Sequence, residues 1–222
     1  LISEADLEGL LRKAGELHGH FCPYLALGVR AGYAALKALN IQQNLGMERV
    51  IAIVETNSCF SDGVQVVTGC SFGNNALIYK DLGKTAVTVA RRDGEAIRIA
   101  LKPEFVESRR DVYSEAYELF DKIVVRREQA SPEERERMME LFSEMSFKEL
   151  EVPEEEMFKI ERKRIEVPEY APIFASVRCA ICGEAVMETR ARVKDGKFVF
   201  IECAGDEYYV LTGAGISVRC LR

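Results

Sequence analysis

The C-terminal part of the sequence contains a cysteine pattern that strongly limits how it can fold. Cys179 and Cys182 enclose two residues and are followed by Gly183, which makes a Cys-x-x-Cys knuckle. The segment around this knuckle is too short to bury an apolar core of its own, because chains below about 40 residues usually need a disulfide or a metal. Cysteine thiolates that bind Zn²⁺ tetrahedrally would fold the segment. The pattern therefore predicts a small domain stabilised by zinc.

A β-hairpin is predicted inside this domain around Asp195-Gly196, and Cys203 follows it. A knuckle, a hairpin and a further cysteine are typical of a zinc ribbon or a treble-clef-like module. The second half departs from the usual pattern, because Phe200 stands where a cysteine partner for Cys203 is expected. The spare cysteine of this region is Cys220, which we predict as the fourth ligand. The predicted structural zinc ligands are Cys179, Cys182, Cys203 and Cys220.

The composition is that of a globular protein and argues against several classes of function. Apolar residues make up 48% of the chain, charged residues 30%, and the net charge is -6. A general nucleic-acid binder needs a basic face, which this charge disfavours. We find no signal peptide and no apolar run near the roughly 18 residues that span a bilayer, so we expect a cytoplasmic protein. Seven cysteines, an odd number, favour metal ligands or reactive thiols over disulfides.

The stretch His18-Gly-His20-Phe-Cys22-Pro contains both histidines of the chain. An amphipathic helix is predicted before it, with His18 on the apolar side and Gly19 as the helix end. Pro23 is well placed as the first residue of a second helix, which puts Cys22 at or beside the N-cap. In a turning segment these imidazoles and the thiol can point to one side, and Zn²⁺, Ni²⁺ and Fe²⁺ prefer such ligands. The stretch therefore predicts a metal site.

Two further cysteines are expected near this stretch. Residues 49–55 are typical of a buried strand, Cys59 lies in the loop after it, and Cys70 lies in a glycine-rich turn. The dipole of a helix N-terminus favours a thiolate, so Cys22 suits either a metal ligand or a nucleophile. Thiol redox chemistry by the three cysteines is therefore an alternative, which a bound metal would exclude.

The rest of the chain predicts an α+β fold, with helices packed on a β-sheet. Two strands are expected on either side of Asp93-Gly94, and residues 107–149 are helical and highly charged. A charged connector with three prolines follows and sets a domain boundary. We therefore predict a core domain at residues 1–166 and a zinc-ribbon or treble-clef-like domain at residues 167–222.

Two motifs together resemble a known family. HGHFCPYLALGVRAG, at residues 18–32, is similar to the HGHxCPGxxLGxRxG signature of the family of formylmethanofuran dehydrogenase E-subunits. Residues 55–87, ETNSCFSDGVQVVTGCSFGNNALIYKDLGKTAV, resemble its second signature: an acidic residue, a cysteine, Asp-x-x-Gln, TGC and a Gly/Asn turn. The resemblance covers residues 11–101, and the C-terminal CxxCGE piece resembles a zinc-finger-like domain that some members carry.

This resemblance implies an α+β core, often paired as an intertwined homodimer, with a metal site in a cleft. The metal ligands implied by the matching motif positions are His18, His20, Cys22 and Cys59. The residues implied to line or support the same cleft are Tyr24, Asp62, Gln65, Thr68 and Cys70. The family usually has glycine where Tyr24 stands, so the tyrosine would narrow the pocket or supply a phenol.

The resemblance is a better guide to fold than to activity. In the formylmethanofuran dehydrogenase complex the molybdenum or tungsten pterin chemistry belongs to other subunits, and this chain has no pterin-binding signature and no ferredoxin-type cysteine run. We expect a metal-binding protein of this methanogenesis-related family, whose partners are a second copy and the subunits of such a complex. We expect Zn²⁺ at the C-terminal site, and Zn²⁺ or another divalent metal such as Ni²⁺ or Fe²⁺ at the N-terminal site.

Whether the protein is an enzyme is left open by the sequence. A metal ion with an open position would allow Lewis-acid or hydrolytic chemistry. His20 would then serve as a base instead of a ligand, and Asp62 would orient it. Of the two histidines, His18 is the better expected ligand, because the first helix fixes its direction.

The alternative function is a zinc-ribbon regulator or metal sensor that binds protein or nucleic acid. A basic strip on the C-terminal hairpin supports it, formed by Arg178, Arg190, Arg192, Lys194 and Lys197. Solvated strand charges balanced by Glu184, Glu188 and Asp195 also explain the strip. We favour this second explanation, so nucleic acid is not the preferred partner.

Overall fold

The computed structural model describes residues 6–42 and 48–219. The chain divides into two compact units, Leu1–Pro168 and Glu169–Arg222. The first unit combines helices with a β-sheet, and the second consists mainly of short β-hairpins. Together they are an α+β fold, as the sequence predicts. Within the described ranges, no helix has both the length and the apolar character needed to cross a membrane.

Two helices enclose the stretch that contains both histidines. Helix α1 spans Leu7–His18, with Asp6 accepting a hydrogen bond from the first turn, and Gly19 ends it at a φ of 87°. Helix α2 spans Pro23–Ala38, with Cys22 at its N-cap. Glycine adopts the left-handed backbone of a helix C-terminus without steric cost, and the fixed φ of proline suits a first helical turn. The predicted end of one helix and start of the next are confirmed.

A five-stranded mixed sheet forms the other layer of the first unit. Its strands are β1 Val50–Val54, β2 Leu77–Tyr79, β3 Ala86–Arg91, β4 Glu95–Leu101 and β5 Phe158–Arg164. They lie in the order β2-β1-β3-β4-β5, with β2 parallel to β1 and the other pairs antiparallel. Every residue of β1 is buried, as expected of an internal strand. Strand β5 comes from the charged connector, yet all of its residues pair with β4, so it belongs to the core sheet.

The remaining helices of the first unit follow the charge and capping signals of the sequence. They are α3 Cys59–Thr68, α4 Pro103–Val112, α5 Ser114–Phe120 with a π-helical extension Asp121–Val125, α6 Pro132–Lys148 and α7 Glu154–Met157. Helix α6 begins with a capping box, in which the Ser131 hydroxyl accepts from the backbone N–H of Glu134 at 3.2 Å. The Glu134 carboxylate accepts in return from the Ser131 N–H at 3.0 Å.

The described part of the second unit, up to residue 219, contains three two-stranded hairpins. Its strands are β6 Ser176–Arg178, β7 Ala185–Met187, β8 Ala191–Lys194, β9 Lys197–Phe200, β10 Tyr208–Thr212 and β11 Gly215–Arg219. They pair as β6-β7, β8-β9 and β10-β11. The middle hairpin turns at Asp195-Gly196, where both residues have positive φ, as a tight hairpin turn requires. The hairpin predicted at this position is therefore confirmed.

Helices α2 and α3 contact each other backbone to backbone at two glycines. A Cβ atom at Gly28 would lie 2.0 Å from the carbonyl oxygen of Phe60. A Cβ atom at Gly63 would lie 2.4 Å from the carbonyl oxygen of Leu25. Backbone atoms cannot turn aside as side chains do, so only glycine permits this approach at either position. The contact also brings the first turn of α3 beside the first turn of α2.

A carboxyl group is buried directly after helix α6. Glu149 is 2% exposed, and its Oε2 has no hydrogen-bond partner among the described residues. Arg30 of α2 donates to the main-chain carbonyl of Glu149 at 3.3 Å and also to that of Leu150. Burial raises the pKa of the Glu149 carboxyl to about 8, against the opposing effect of Arg109. The side chain is therefore mainly protonated at neutral pH.

The glycine contact predicts the effect of adding one methyl group. Gly28→Ala is expected to lower the free energy of unfolding by about 3 kcal/mol, because the methyl overlaps a backbone carbonyl. This exceeds the roughly 1 kcal/mol that alanine gains over glycine in a helix. Chemical denaturation followed by circular dichroism measures the change. Gly73→Ala is the control, since its Cβ would meet only Ser71 Oγ at 3.9 Å. Equal stability of the two variants would contradict the packing argument.

The buried carboxyl predicts a pH dependence of stability. The unfolded glutamate titrates near 4.5 and the folded one near 8. The contribution of Glu149 is therefore fully present below the unfolded pKa and is lost as pH rises through the folded pKa. Glu149→Gln is neutral at every pH, so its stability relative to wild type should increase between pH ~5 and pH ~8 by several kcal/mol at most. Denaturation curves at several pH values measure the difference.

The exposed Glu151, in the same turn of chain, is the control for this experiment. Glu151→Gln removes an exposed carboxyl instead of a buried one and should follow the wild-type stability curve across the pH range. A Glu149→Gln curve parallel to wild type would show that the buried carboxyl has an ordinary pKa.

Candidate metal centre

Four side chains from the two motifs meet at the ends of three helices. His18 is the last residue of α1, His20 lies in the turn after it, Cys22 is the N-cap of α2 and Cys59 is the first residue of α3. One ligand atom from each lies within 4.8 Å of all the others. Such spacing suits one ion between them, since Zn–S and Zn–N bonds are about 2.3 Å and 2.0 Å long. Cys22 is buried, and the other three are partly exposed.

Asp62 of α3 fixes the orientation of His18. Its Oδ2 lies 2.7 Å from His18 Nδ1, and its Oδ1 accepts a hydrogen bond of 3.0 Å from Gln65 Nε2. The other ring nitrogen, His18 Nε2, is buried and has no hydrogen-bond partner among the described residues. The sequence interpretation paired Asp62 with His20 for the case of an open metal position, in which His20 would serve as a base. The structure instead places its carboxylate on His18, because the first turn of α3 packs beside the end of α1.

An unpartnered buried nitrogen is costly, and a metal ion would supply the partner that His18 Nε2 lacks. A carboxylate on one ring nitrogen and a metal on the other is the usual arrangement of a metal-binding histidine. The donor set of two imidazoles and two thiols suits a borderline-soft transition metal such as Zn²⁺. The residues present therefore fit the ion that the sequence predicts.

The two thiols share one proton. The hydrogen bond from Cys22 stabilises the Cys59 thiolate and lowers the pKa of Cys59 to about 6, with a further contribution from His18. The same hydrogen bond, together with burial, raises the pKa of Cys22. Cys59 also stands in the first turn of α3, where the helix dipole favours an anion. One thiolate is thus formed at neutral pH, and the thiolate is the form that binds metal.

Two of the predicted cleft residues support α3 instead of joining the four-residue group. The Thr68 hydroxyl donates to the carbonyl of Val64 at 2.7 Å and accepts from the backbone N–H of Cys70 at 3.2 Å. The Cys70 thiol is fully buried and lies 3.5 Å from the carbonyl oxygen of Val50, and burial raises its pKa. Both residues tie the end of α3 to the sheet.

Tyr24, in the first turn of α2, faces groups that the sequence did not reveal. Burial raises the pKa of Tyr24, and the nearby Glu149 adds to this effect. Burial and Glu149 likewise raise the pKa of Tyr117 to about 12, so both phenols are neutral.

Phe147 packs against Phe21 with ring centroids 5.2 Å apart, which holds the end of α6 near the histidine turn. Glu149 follows a charged helix whose pattern predicts exposure, so no sequence signal identified it.

Three cysteines of the second unit also form a group. The Sγ atoms of Cys179, Cys182 and Cys203 lie within 4.8 Å of one another. Cys179 is 2% exposed, and its sulfur accepts a hydrogen bond of 3.2 Å from the backbone N–H of Phe200. This bond is the main cause that lowers the pKa of Cys179 to about 6. Cys220, which the sequence predicts as the fourth ligand, lies outside the described residues.

Most of the basic strip on the C-terminal hairpins is engaged within the second unit. Arg192 forms an ion pair of 2.5 Å with Asp206, and Lys194 donates to the carbonyl of Ala204. Arg178 donates to the carbonyl of Gly183 at 2.9 Å. The partners of these three residues are Asp206 and two backbone carbonyls of the same unit, and the preference for balanced surface charge over a nucleic-acid surface stays a prediction.

Two family models match the chain. The model described as FmdE, Molybdenum formylmethanofuran dehydrogenase operon, matches residues 17–159, and the model described as Prokaryotic dksA/traR C4-type zinc finger matches residues 172–209. The first range contains the four-residue group. The second contains the three-cysteine group and Phe200 but ends before Cys220.

A relative and a solved structure agree with these matches. A protein of Archaeoglobus fulgidus described as "Probable S-adenosyl-L-methionine-binding protein" is 46% identical over 217 residues, which are 96% of this chain and 57% of that protein. The chain therefore spans little more than half the length of this relative. The crystal structure of a tungsten formylmethanofuran dehydrogenase FmdE-like protein from Syntrophus aciditrophicus has a TM-score of 0.58 at 23% identity. The match covers 90% of this chain and 92% of that chain, which shows a shared fold.

The first family model covers well over half of the chain and includes both motifs that contribute to the four-residue group. A zinc-finger match follows it along the chain. The chain thus belongs to the FmdE family and carries a C-terminal zinc finger of the dksA/traR type.

Proposed function

We propose that this protein binds one transition-metal ion between the side chains of His18, His20, Cys22 and Cys59. The observation that carries the proposal is the buried His18 Nε2, which lacks a hydrogen-bond partner among the described residues. Its other ring nitrogen is held by Asp62 at 2.7 Å, so Nε2 is the atom left for the ion. Four ligand atoms within 4.8 Å of one another then supply a complete tetrahedral set.

The ion that this set suits best is Zn²⁺, and Ni²⁺ or Fe²⁺ are the alternatives. Imidazole suits all three metals, and thiolate ligands favour zinc among them. A zinc ion with four protein ligands is coordinatively closed, whereas one with three keeps a position for water or substrate. The proposed activity is therefore metal binding itself, with Lewis-acid chemistry dependent on an open position.

We also propose that the protein works as a homodimer in the cytoplasm and associates with a molybdenum or tungsten formylmethanofuran dehydrogenase-type complex. Family membership supports this proposal. Size-exclusion chromatography with light scattering tests the dimer, and a monomer would contradict it.

Metal content per chain tests the core site directly. Wild type is expected to contain two ions, one in each unit, and the double variant Cys22→Ser/Cys59→Ser is expected to contain one. Cys70→Ser is the matched control, because Cys70 is also buried but lies outside the four-residue group. Elemental analysis by plasma mass spectrometry measures the ions after circular dichroism has verified folding. One ion in wild type and in the folded double variant would refute the core site.

The Asp62 contact predicts a loss of affinity without loss of a ligand. Asp62→Ala should weaken binding of the core ion about 10–100-fold, because His18 loses the hydrogen bond that sets its tautomer and direction. Competition with a chromophoric chelator measures this affinity. Glu16→Ala, an exposed carboxylate on α1, is the control for a lost negative charge and should leave affinity unchanged. Equal affinity in the two variants would show that Asp62 does not orient the ligand.

We propose that Cys220 completes the structural Zn²⁺ site of the second unit. Among the described residues the group contains three cysteines and no fourth ligand, and Phe200 stands where the spacing predicts a cysteine. Arg219, the residue before Cys220, pairs with Tyr208, only five positions beyond Cys203. This pairing supports Cys220 as a ligand near the other three.

Two substitutions test this assignment. Cys220→Ser should weaken zinc binding by the second unit, and adding Phe200→Cys to that variant should restore it, because the second Cys-x-x-Cys is then complete. Zinc release to a chelator measures both changes. Wild-type zinc retention in Cys220→Ser would exclude Cys220 as a ligand.

A further inference from the structure

The four proposed ligands differ in how firmly the protein holds them. His18 is the last residue of α1 and is bonded to Asp62, which is bonded in turn to Gln65. Cys22 is buried at the N-cap of α2, and Cys59 begins α3. These three ligands are therefore positioned by secondary structure or by a hydrogen-bonded neighbour before any ion binds.

His20 is held much less firmly. It belongs to no helix or strand and follows Gly19, whose φ is 87° and whose missing Cβ would meet no atom within 4 Å. Its ring contacts the ring of His18, with centroids 4.4 Å apart and planes tilted by 40°. Among the described residues, no carboxylate or carbonyl accepts a hydrogen bond from either ring nitrogen of His20. The side chain is partly exposed, as those of His18 and Cys59 also are, so the missing acceptor is what distinguishes His20.

A metal-ligating histidine normally donates its second ring N–H to an acceptor, which fixes the ring and strengthens its bond to the metal. Within the described ranges His18 has that acceptor and His20 has none, although both belong to the same group of four. A side chain without such an acceptor regains rotamer freedom when it dissociates from the metal. Its net contribution to the free energy of metal binding is therefore smaller. The metal–His20 bond is therefore the weakest point of the proposed coordination sphere.

We propose that His20 is a displaceable ligand, and that the metal position it occupies is the binding site for an external ligand. The inference rests on the proposed core metal site and specifies how that site works. When His20 leaves, one histidine and two cysteines remain, and three protein ligands with an open position are the arrangement of catalytic zinc sites, including Cys2His sites. The ligand class is a small molecule with a monodentate nitrogen, sulfur or anionic oxygen donor.

Cobalt(II) in the whole 222-residue chain tests this proposal, because its visible spectrum reports the number and type of ligands. The spectrum of the core site is obtained by subtracting the cobalt spectrum of the Cys22→Ser/Cys59→Ser variant from that of each protein. This double variant retains only the zinc-finger site. Wild type is measured first, and absence of a core-site signal there would overturn the metal site and this inference together. A core-site signal in wild type lets the histidine variants test the inference by itself.

His20→Ala is expected to retain the core ion, with a loss of affinity at least about tenfold smaller than that in His18→Ala. Imidazole added to the His20→Ala protein should restore a spectrum close to that of wild type, since it fills the position that the side chain left. His20→Gln, which keeps a side chain of similar size, should behave in the same way and controls for a disturbed turn. Release of the ion by both His20 variants, or spectra that imidazole does not change, would overturn the proposal.

Discussion

The contact between α2 and α3 at Gly28 and Gly63 is the constraint on which the rest of the first unit depends. Carbonyl groups occupy the positions where side chains would stand, so the two helix axes are closer than any other residue would permit. Each helix begins at a cysteine of the proposed metal site. The separation that the glycines set is therefore also the separation of the two helix starts that carry the sulfurs of the proposed site.

This coupling explains why three of the four proposed ligands stand at helix ends. Backbone N–H groups at the first turns of α2 and α3 favour negative charge, and the shared proton of Cys22 and Cys59 leaves one thiolate there. His18 stands at the C-terminal end of α1, and its ring is hydrogen-bonded to the Asp62 carboxylate of α3. The helices that the apolar core holds in place therefore set the charge of the two thiols and the orientation of the His18 ring.

Local signals were sufficient to predict much of this arrangement from the sequence. Gly19 and Pro23 marked the end of α1 and the start of α2, and Asp195-Gly196 marked a hairpin, because each depends on backbone preferences of one or two residues. Contacts between distant positions were not predictable in the same way. Strand β5 joins the core sheet through pairing with β4, and Asp62 bonds to His18, 44 positions away, instead of His20. Periodicity and spacing contain no information on such pairings.

The distance in sequence between the two motifs has a consequence for the order of events during synthesis. His18, His20 and Cys22 leave the ribosome well before Cys59 and Asp62, so the early segment alone offers an incomplete and unoriented set of donors. The proposed ion can bind to all four ligands only after α3 has left the ribosome and packed against α2. A nascent chain would therefore acquire the ion only once α3 has packed against α2, before helices α4 to α7 are made, and a product truncated before Cys59 would lack the core ion.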